Sequence, residues 1–271
     1  MKKHGHMFAA SAVALAIVAL ATTAPASWAQ EESEFSELRV LIEINATDGD
    51  AGFQVLIDGD EWKEVTIRDP NRMKLFTAKG YGSARGQGLT ENFFESAEPS
   101  CDELPLADFL ARFPSGEYLI TGKTIDGRML MGEANLTHDL PRAPMNLAPT
   151  GDGVDPAAPV VIAWTAGVDL GNCPPNGADV GDPAVFGYQV VVEREDPQPL
   201  TVFTVDLPAS ATAVTIPHEF LQADAIYKYE VVAIEARMNE DLEVERGNQT
   251  ISENFFCTFV ETMERPCKLP E

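Results

Sequence analysis

The sequence predicts an all-β protein of two tandem antiparallel β-sandwich domains, with one short helix in the first. Apolar and polar residues alternate along short segments, turn signals separate those segments, and helical spacing is confined to one place. Proline-rich residues 141–144, followed by a proline- and glycine-rich stretch at 149–159, mark a boundary. We therefore predict domains at residues 36–139 and 142–258, with a C-terminal tail at 259–271.

The N-terminus has the three-part layout of a cleavable secretory signal. Lys2 and Lys3 precede an apolar run at residues 7–21, and small residues flank the predicted cleavage point after Ala29. The apolar run is shorter than the roughly 20 residues of a membrane-spanning helix. We expect residues 1–29 to be removed and the mature chain to be secreted or periplasmic, without membrane insertion; the alternative is an uncleaved anchor. A lipoprotein anchor is not expected, because no cysteine follows the cleavage point.

The charge of the chain limits its partners. The formal net charge is −24, with 43 acidic against 19 basic residues, and loss of Lys2 and Lys3 makes the mature chain more negative. Such a chain repels nucleic acid and anionic membrane surfaces. We expect an extracellular or envelope protein or a glycan as partner. Solubility alone accounts for acidity of this kind, and the alternatives are a cationic partner or calcium.

The first domain begins with a strand in which Leu38 to Ala46 alternate strictly. Two hairpins are predicted, one at Asp58-Gly59 and one at Asp126-Gly127. Helical spacing predicts the short helix within residues 104–113, and further short strands are expected at 74–77 and 91–94. The domain resembles an uncharacterised immunoglobulin-like module of exported bacterial proteins, which implies a sandwich and no particular function.

The second domain carries a more specific resemblance. Strands are predicted at 160–164, 188–193, 200–205, 213–216, 227–235 and 249–256. Trp164 and Tyr188 stand where a fibronectin type III domain places core aromatic residues, and Leu221 followed six residues later by Tyr227 resembles the tyrosine corner of that family. The resemblance covers about residues 142–258. It implies a β-sandwich that acts as a spacer or presents its loops to a ligand.

Four cysteines, Cys101, Cys173, Cys257 and Cys267, predict disulfides in an exported protein. Three connectivities are open. Cys257 and Cys267 are close enough in sequence to join within the tail. The loop at 165–183 is long for the family and carries Cys173, and it is expected to face the end of the first domain where Cys101 lies. Our hypothesis is Cys101–Cys173 and Cys257–Cys267, with the long loop pinned rather than mobile.

Candidate chemical sites are few. Asp48 and Asp50 offer hard oxygen ligands for calcium, although Asp-Gly also suits a metal-free turn. No nucleophile motif surrounds His138 or His218, so no catalytic residue is predicted. The glycine-rich segment at 80–88 lacks the spacing and the βαβ context of a nucleotide loop and is interpreted as a flexible loop.

The sequence therefore favours an exported non-enzymatic protein with a binding, adhesion or structural accessory role and no cofactor. Two alternatives are kept open. One is a secreted carbohydrate-active hydrolase that uses carboxylates of the first domain, and an up-shifted carboxylate in a cleft would favour it. The other is a calcium-dependent adhesin that uses Asp48 and Asp50.

Overall fold

The strand bounds come from a computed structural model that describes residues 32–239, 242–260, 262 and 265–269. The predicted signal segment, residues 1–29, lies outside the described residues. The strands are β1 Glu32–Asn45, β2 Asp50–Arg68, β3 Lys74–Lys79, β4 Leu89–Glu95, β5 Gly116–Thr124, β6 Met129–Leu136, β7 Met145–Ala148, β8 Val160–Thr165, β9 Val185–Asp196, β10 Thr201–Pro208, β11 Ala213–Ile216, β12 Ile226–Met238 and β13 Val244–Cys257. The helices are α1 Gly82–Gln87 and α2 Leu106–Arg112. The protein is thus mostly β, as predicted.

In the first half, four strands close on themselves. β1 pairs with β2, β2 with β5, β5 with β6, and β6 pairs in parallel with the start of β1. The result is a small barrel, with β3 and β4 added along the other edge of β2. This differs from the two-sheet sandwich that the sequence predicts for residues 36–139.

The barrel closes because β2 is long and changes partners along its length. Its first part pairs with β1 and β4, and its second part pairs with β3 and β5, with irregular register between Asp58 and Glu64. Bulges of this kind bend a strand and let it pass from one layer to the next. The hairpin predicted at Asp58-Gly59 is therefore wrong. Gly59 instead gives room to Phe35, whose ring would lie 3.0 Å from a Cβ at this position.

The hairpin predicted at Asp126-Gly127 is confirmed. It joins β5 and β6, and Gly127 has a φ of 99°, which a residue without Cβ adopts most easily. α2 lies within the predicted helix range and buries Leu106, Phe109 and Leu110. The segment interpreted as a flexible loop at 80–88 contains α1, which that interpretation missed.

The second half has two sheets that share one core. β7, β8 and β11 form a three-stranded sheet, and β10, β9, β12 and β13 lie in that order in the other. Buried side chains of both sheets, among them Ile162, Trp164, Val190 and Tyr229, contact one another in a single hydrophobic cluster. The six predicted strands of this half all correspond to observed strands.

The two halves are joined through one sheet. β1 pairs in parallel with β13 over Glu43–Asn45 and Gln249–Ile251, so ten strands of both halves form one hydrogen-bonded sheet. Residues 31–271 accordingly form one compact unit with two main hydrophobic cores. Ala143, in the predicted linker, is buried and its N–H donates to the Asp169 carbonyl at 2.8 Å. The linker is therefore part of the packed structure.

The long loop after β8 lies against the barrel. Leu170 and Cys173 are fully buried in the first core, and disulfides join Cys101 to Cys173 and Cys257 to Cys267, the pairs of the hypothesis. Their Cα atoms are 5.3 and 5.9 Å apart. Such bonds persist in oxidising compartments. Among the described residues, no helix has the length and apolar character needed to cross a membrane.

Candidate ligand-binding face

The outward side of the shared sheet carries a cluster of acidic and amide side chains, here called the acidic face: Glu43, Gln54, Glu95, Glu98 and Gln249. Alternation along each strand places Glu43, Gln54, Glu95 and Gln249 on the same side, because the neighbouring Ile42, Val55, Phe94 and Thr250 point inward. Register then brings them together, since Glu43 is opposite Gln249 on β13 and Gln54 is opposite Glu95 on β4.

Glu98 reaches this face because of a glycine. Gly52 is directly opposite Glu43 on β2, and a Cβ at Gly52 would lie 2.8 Å from the Glu98 carboxylate. The missing side chain thus leaves space for Glu98 beside Glu43. One carboxylate oxygen from each of Glu43, Glu95 and Glu98 lies within 4.8 Å of the others. Such a set offers hard oxygen ligands to a cation or attracts a basic group.

The amides hold the carboxylates in place. Gln249 Nε2 donates to Glu43, and Gln54 Nε2 donates to Glu95 at 2.7 Å. Burial raises the pKa of Glu43 to about 7, against the opposing hydrogen bond from Gln249, and the nearby charge of Glu95 adds to the increase. Burial and Glu95 likewise raise the pKa of Glu98. The Glu43 carboxyl is therefore the group of this face that takes up a proton near neutral pH.

Asp48 and Asp50, the predicted calcium candidates, lie beside the acidic face at the β1–β2 turn. The Asn45 side chain organises that turn, because its Oδ1 accepts from the N–H groups of Thr47 and Asp48 at 3.0 and 3.1 Å. Burial and the charge of Asp48 raise the pKa of Asp50. Neither aspartate belongs to the described group of three carboxylates that are close enough to share an ion.

A single aromatic side chain stands out on this face. Phe93 on β4 is 57% exposed and lies between Glu91 and Glu95 on the outward side of the strand. Its partner across the sheet is Leu56. Aromatic side chains with polar surroundings are typical anchors of protein interfaces. The sequence alone does not predict this site, because Glu98 and Gln249 join Glu43 only through distant parts of the chain.

Behind the face, a buried polar network lies where β1 and β13 separate, next to the paired residues Glu43 and Gln249; we call this place the fork. Asn248 is fully buried; its Oδ1 accepts from the Ile42 N–H at 2.8 Å and its Nδ2 donates to the Thr137 carbonyl at 3.1 Å. Glu235 accepts from the Asn248 N–H at 2.7 Å and from Thr137 Oγ1 at 2.8 Å. Arg237 donates to the carbonyls of Val40 and Asn135. These side chains satisfy backbone groups that have no strand partner at the fork.

A cleft of about 650 Å³ opens beside this network. Its charged side chains are of both signs and are largely paired: Arg237 lies 3.4 Å from Glu245, Arg246 lies 3.3 Å from Asp206, and Arg72 lies 3.1 Å from Glu117. The cleft has no single charge preference. It is therefore a weaker candidate for a ligand than the acidic face.

The residues predicted as structural core lie in the second core. Trp164 and Tyr188 are buried with ring centroids 5.2 Å apart. The Tyr227 hydroxyl accepts from the Gln222 N–H at 2.7 Å, next to Leu221, which packs against the core. His138 Nε2 is 2.9 Å from the Phe113 carbonyl, and His218 is exposed beside Glu219. The structure brings neither histidine to the acidic face.

Comparison with known proteins gives little beyond this description. No protein-family model matches the chain, and no curated protein matches it. A solved structure described as "Myokine structure" is 17% identical, covering 44% of this chain and 99% of that one, with a TM-score of 0.28. The FN1–FN3 domains of chicken CNTN1 are 9% identical, covering 82% of this chain and 64% of that one, with a TM-score of 0.31. At such scores neither likeness carries an argument.

Proposed function

We propose that the protein is an exported, non-enzymatic binding protein whose two β modules hold the acidic face as a rigid platform. The observation that carries this proposal is the shared sheet: Glu43 and Gln249 come from opposite ends of the chain and meet on one face. The buried network of Asn248, Glu235 and Arg237 joins the two halves there through hydrogen bonds. A surface built across two modules is pre-organised, which lowers the entropic cost of binding.

The second module is proposed to be fibronectin type III-like. Its three-stranded and four-stranded sheets around one core support this, as does the bond from the Gln222 N–H to the Tyr227 hydroxyl, which is the tyrosine corner that the sequence predicts. Modules of this kind serve as spacers and supports. Its role here would be to supply β12 and β13 to the platform.

The partner of the acidic face is proposed to be a protein segment that presents basic side chains around an apolar one. Glu43, Glu95 and Glu98 supply negative charge, and Phe93 supplies exposed apolar area. The basic residues beside this face are already paired: Lys228 on β12 is bridged to Glu253 at 2.9 Å and to Glu230 at 3.2 Å, and Arg39 on β1 is bridged to Glu37. The charge of the face is thus left for a ligand.

The test is affinity capture from an envelope extract with residues 30–271, disulfides intact, as bait. A partner captured by the wild type should be lost with Phe93→Ser and released by high salt. The control is Phe186→Ser, because Phe186 is also an exposed phenylalanine. The neighbouring Gly187 is in register with Gln249 through Ile234, so Phe186 points to the side of the sheet away from the acidic face. A partner that survives Phe93→Ser, or is lost equally with Phe186→Ser, would contradict the proposal.

A second candidate, a carbohydrate-active hydrolase, is favoured by one observation. Glu43, with its pKa raised to about 7, lies beside carboxylates of different environment, an arrangement that acid–base hydrolysis uses. The face is an open sheet surface rather than a deep cleft, which suits binding better. Screening glycoside substrates with wild type and Glu43→Gln tests it: turnover abolished by Glu43→Gln would support hydrolysis, and turnover that the substitution leaves unchanged would reject Glu43 as its acid.

A further inference from the structure

Elsewhere on the barrel, the outward face of β2, β5 and β6 carries positive charge that no salt bridge within the described part of the chain neutralises. A shallow groove of about 370 Å³ is lined there by Lys63, Thr66, Arg85, Thr121, Lys123 and Met129, here called the basic groove. Lys63, Arg85 and Lys123 make no salt bridge with any other described residue. The one acid in the lining, Glu64, is bridged to Lys79 at 2.8 Å.

The positive field of the groove acts on Glu64. The hydrogen bond and the charge of Lys79 lower the pKa of this carboxyl, and Arg85 and Lys74 lower it further. At physiological ionic strength charges are screened beyond about 8 Å. A local group of cations can therefore attract an anion although the whole chain is strongly negative.

The groove carries hydroxyl groups. Thr77, Thr66 and Thr121 stand opposite one another on β3, β2 and β5, and the hydroxyls of Thr66 and Thr77 are 3.0 Å apart. Each hydroxyl can donate and accept. Arg85 enters from α1, which begins after Tyr81, a side chain that is 73% exposed.

The spacing of the unpaired cations favours a ligand whose negative charges are several ångströms apart. Lys123 is opposite Glu64, the residue that follows Lys63, so these two lysines lie on neighbouring strands with Cα atoms roughly 6 Å apart. Nucleic acid carries a far denser charge, about one per 1.7 Å of duplex axis, and the acidic remainder of this chain would repel it. We propose that the basic groove binds an anionic polysaccharide, with Lys63, Arg85 and Lys123 contacting its acidic groups and the threonines contacting its hydroxyls.

The experiment measures binding of the disulfide-bonded chain to polygalacturonate, which carries one carboxylate per sugar and free hydroxyls, and to its uncharged methyl ester by calorimetry. We expect binding to polygalacturonate only. Lys63→Glu combined with Lys123→Glu should weaken it at least tenfold and flatten its salt dependence. The control pair Arg112→Glu and Lys268→Glu changes the net charge equally but lies away from the groove, and it should change affinity less than twofold.

Two further arms separate the classes of ligand. Thr66→Val combined with Thr121→Val keeps the charge of the groove and should weaken polygalacturonate binding several-fold; unchanged affinity would contradict the role of the hydroxyls. Duplex DNA and vesicles of anionic lipid should bind more weakly than polygalacturonate. Tighter binding of either one, abolished by the lysine pair, would overturn the polysaccharide assignment, as would equal loss of affinity in the control pair.

Discussion

At the scale of single residues, the protein keeps charged groups in unusual positions and compensates for each with a specific neighbour. Glu43 is held by Gln249, and Glu235 is held by the Asn248 N–H and Thr137. Burial raises the pKa of both glutamates. The hydrogen bonds from these neighbours offset part of the increase in pKa. What remains makes the free energy of unfolding depend on pH, which denaturation can measure.

Glu43→Gln should stabilise the protein above neutral pH. The pKa of Glu43 is about 7 in the folded protein against an ordinary 4.5, so between these values the folded state binds a proton that the unfolded chain has released. The free energy of unfolding therefore falls as pH rises through this window. At pH 8 we expect Glu43→Gln to gain about 1 to 3 kcal/mol in urea denaturation.

The gain should vanish near pH 4, where both states are protonated. Glu253 and Glu235 also have raised pKa values, so the informative quantity is the difference between variant and wild type at each pH. Glu91→Gln, on the exposed outer side of β4, serves as the control. An equal stability of Glu43→Gln and wild type at pH 8 would contradict a buried charged carboxylate at this position.

Asn248→Ala should be among the more destabilising single changes at the fork. It would leave the Ile42 N–H and the carbonyls of Thr137 and Asp139 without their partner in a buried place. We expect a loss of about 2 to 5 kcal/mol in chemical denaturation. Asn135→Ala is the control, because Asn135 enters the network through its carbonyl; a similar loss in that variant would argue against a specific role of the Asn248 side chain.

Residue-scale features were predictable from the sequence only where they are local. The bond to the Tyr227 hydroxyl comes from Gln222, five residues away, and the Leu221–Tyr227 spacing predicts it. The acidic face depends on Gln249 lying beside Glu43, 206 residues away. No pattern within one segment contains that information, so the sequence points to Asp48 and Asp50 as calcium candidates and not to Glu43.

At the scale of elements, alternation located the strands but not their continuity. The segments around Phe53 and Trp62 were predicted as two strands of a hairpin, whereas they form the single strand β2. Asp58-Gly59 fits a tight turn and a bulge equally well, because both need a residue without Cβ. The packing of Phe35 against Gly59 favours the bulge over the turn. Phe35 is distant in the sequence, so the local pattern does not reveal this contact.

The long loop at 165–183 should depend strongly on its disulfide. Replacing Cys101 and Cys173 by serine opens a cross-link over 72 residues and puts hydroxyls in a buried site. We expect a loss of roughly 3 to 5 kcal/mol in the free energy of unfolding. Replacing Cys257 and Cys267, only 10 residues apart, should cost less, about 1 to 3 kcal/mol. A larger effect of the second pair would show that the loop is held by its other contacts.

At the scale of the whole molecule, the domain boundary visible in the sequence does not divide the hydrogen-bonded sheet. Composition marks residues 141–144 as a linker, and each half has its own core. The parallel pairing of β1 with β13 then joins them. The pairing of β1 with β13 is non-local, and the sequence of each strand is equally compatible with an edge position. The sequence therefore predicts the two modules but not the sheet that joins them.

The shared sheet predicts that the two halves unfold together. In scanning calorimetry the disulfide-bonded chain should show one transition whose calorimetric and van't Hoff enthalpies agree. Asn248→Ala removes hydrogen bonds at the fork. In this variant the two halves should unfold in separate transitions, or the single transition should move to a lower temperature. Two well-separated transitions in the wild type would contradict strong coupling between the halves.

The parallel contact between β1 and β13 also sets an order of events during synthesis. Ile42 leaves the ribosome 206 residues before Asn248, the side chain that accepts from its N–H. At roughly 5 to 20 residues per second this delay is about 10 to 40 s. Until then that edge of β1 is an open template for wrong pairing. Completion of the fold must wait for the last strand, so a factor that shields the first strands of the nascent chain should raise the yield of native protein.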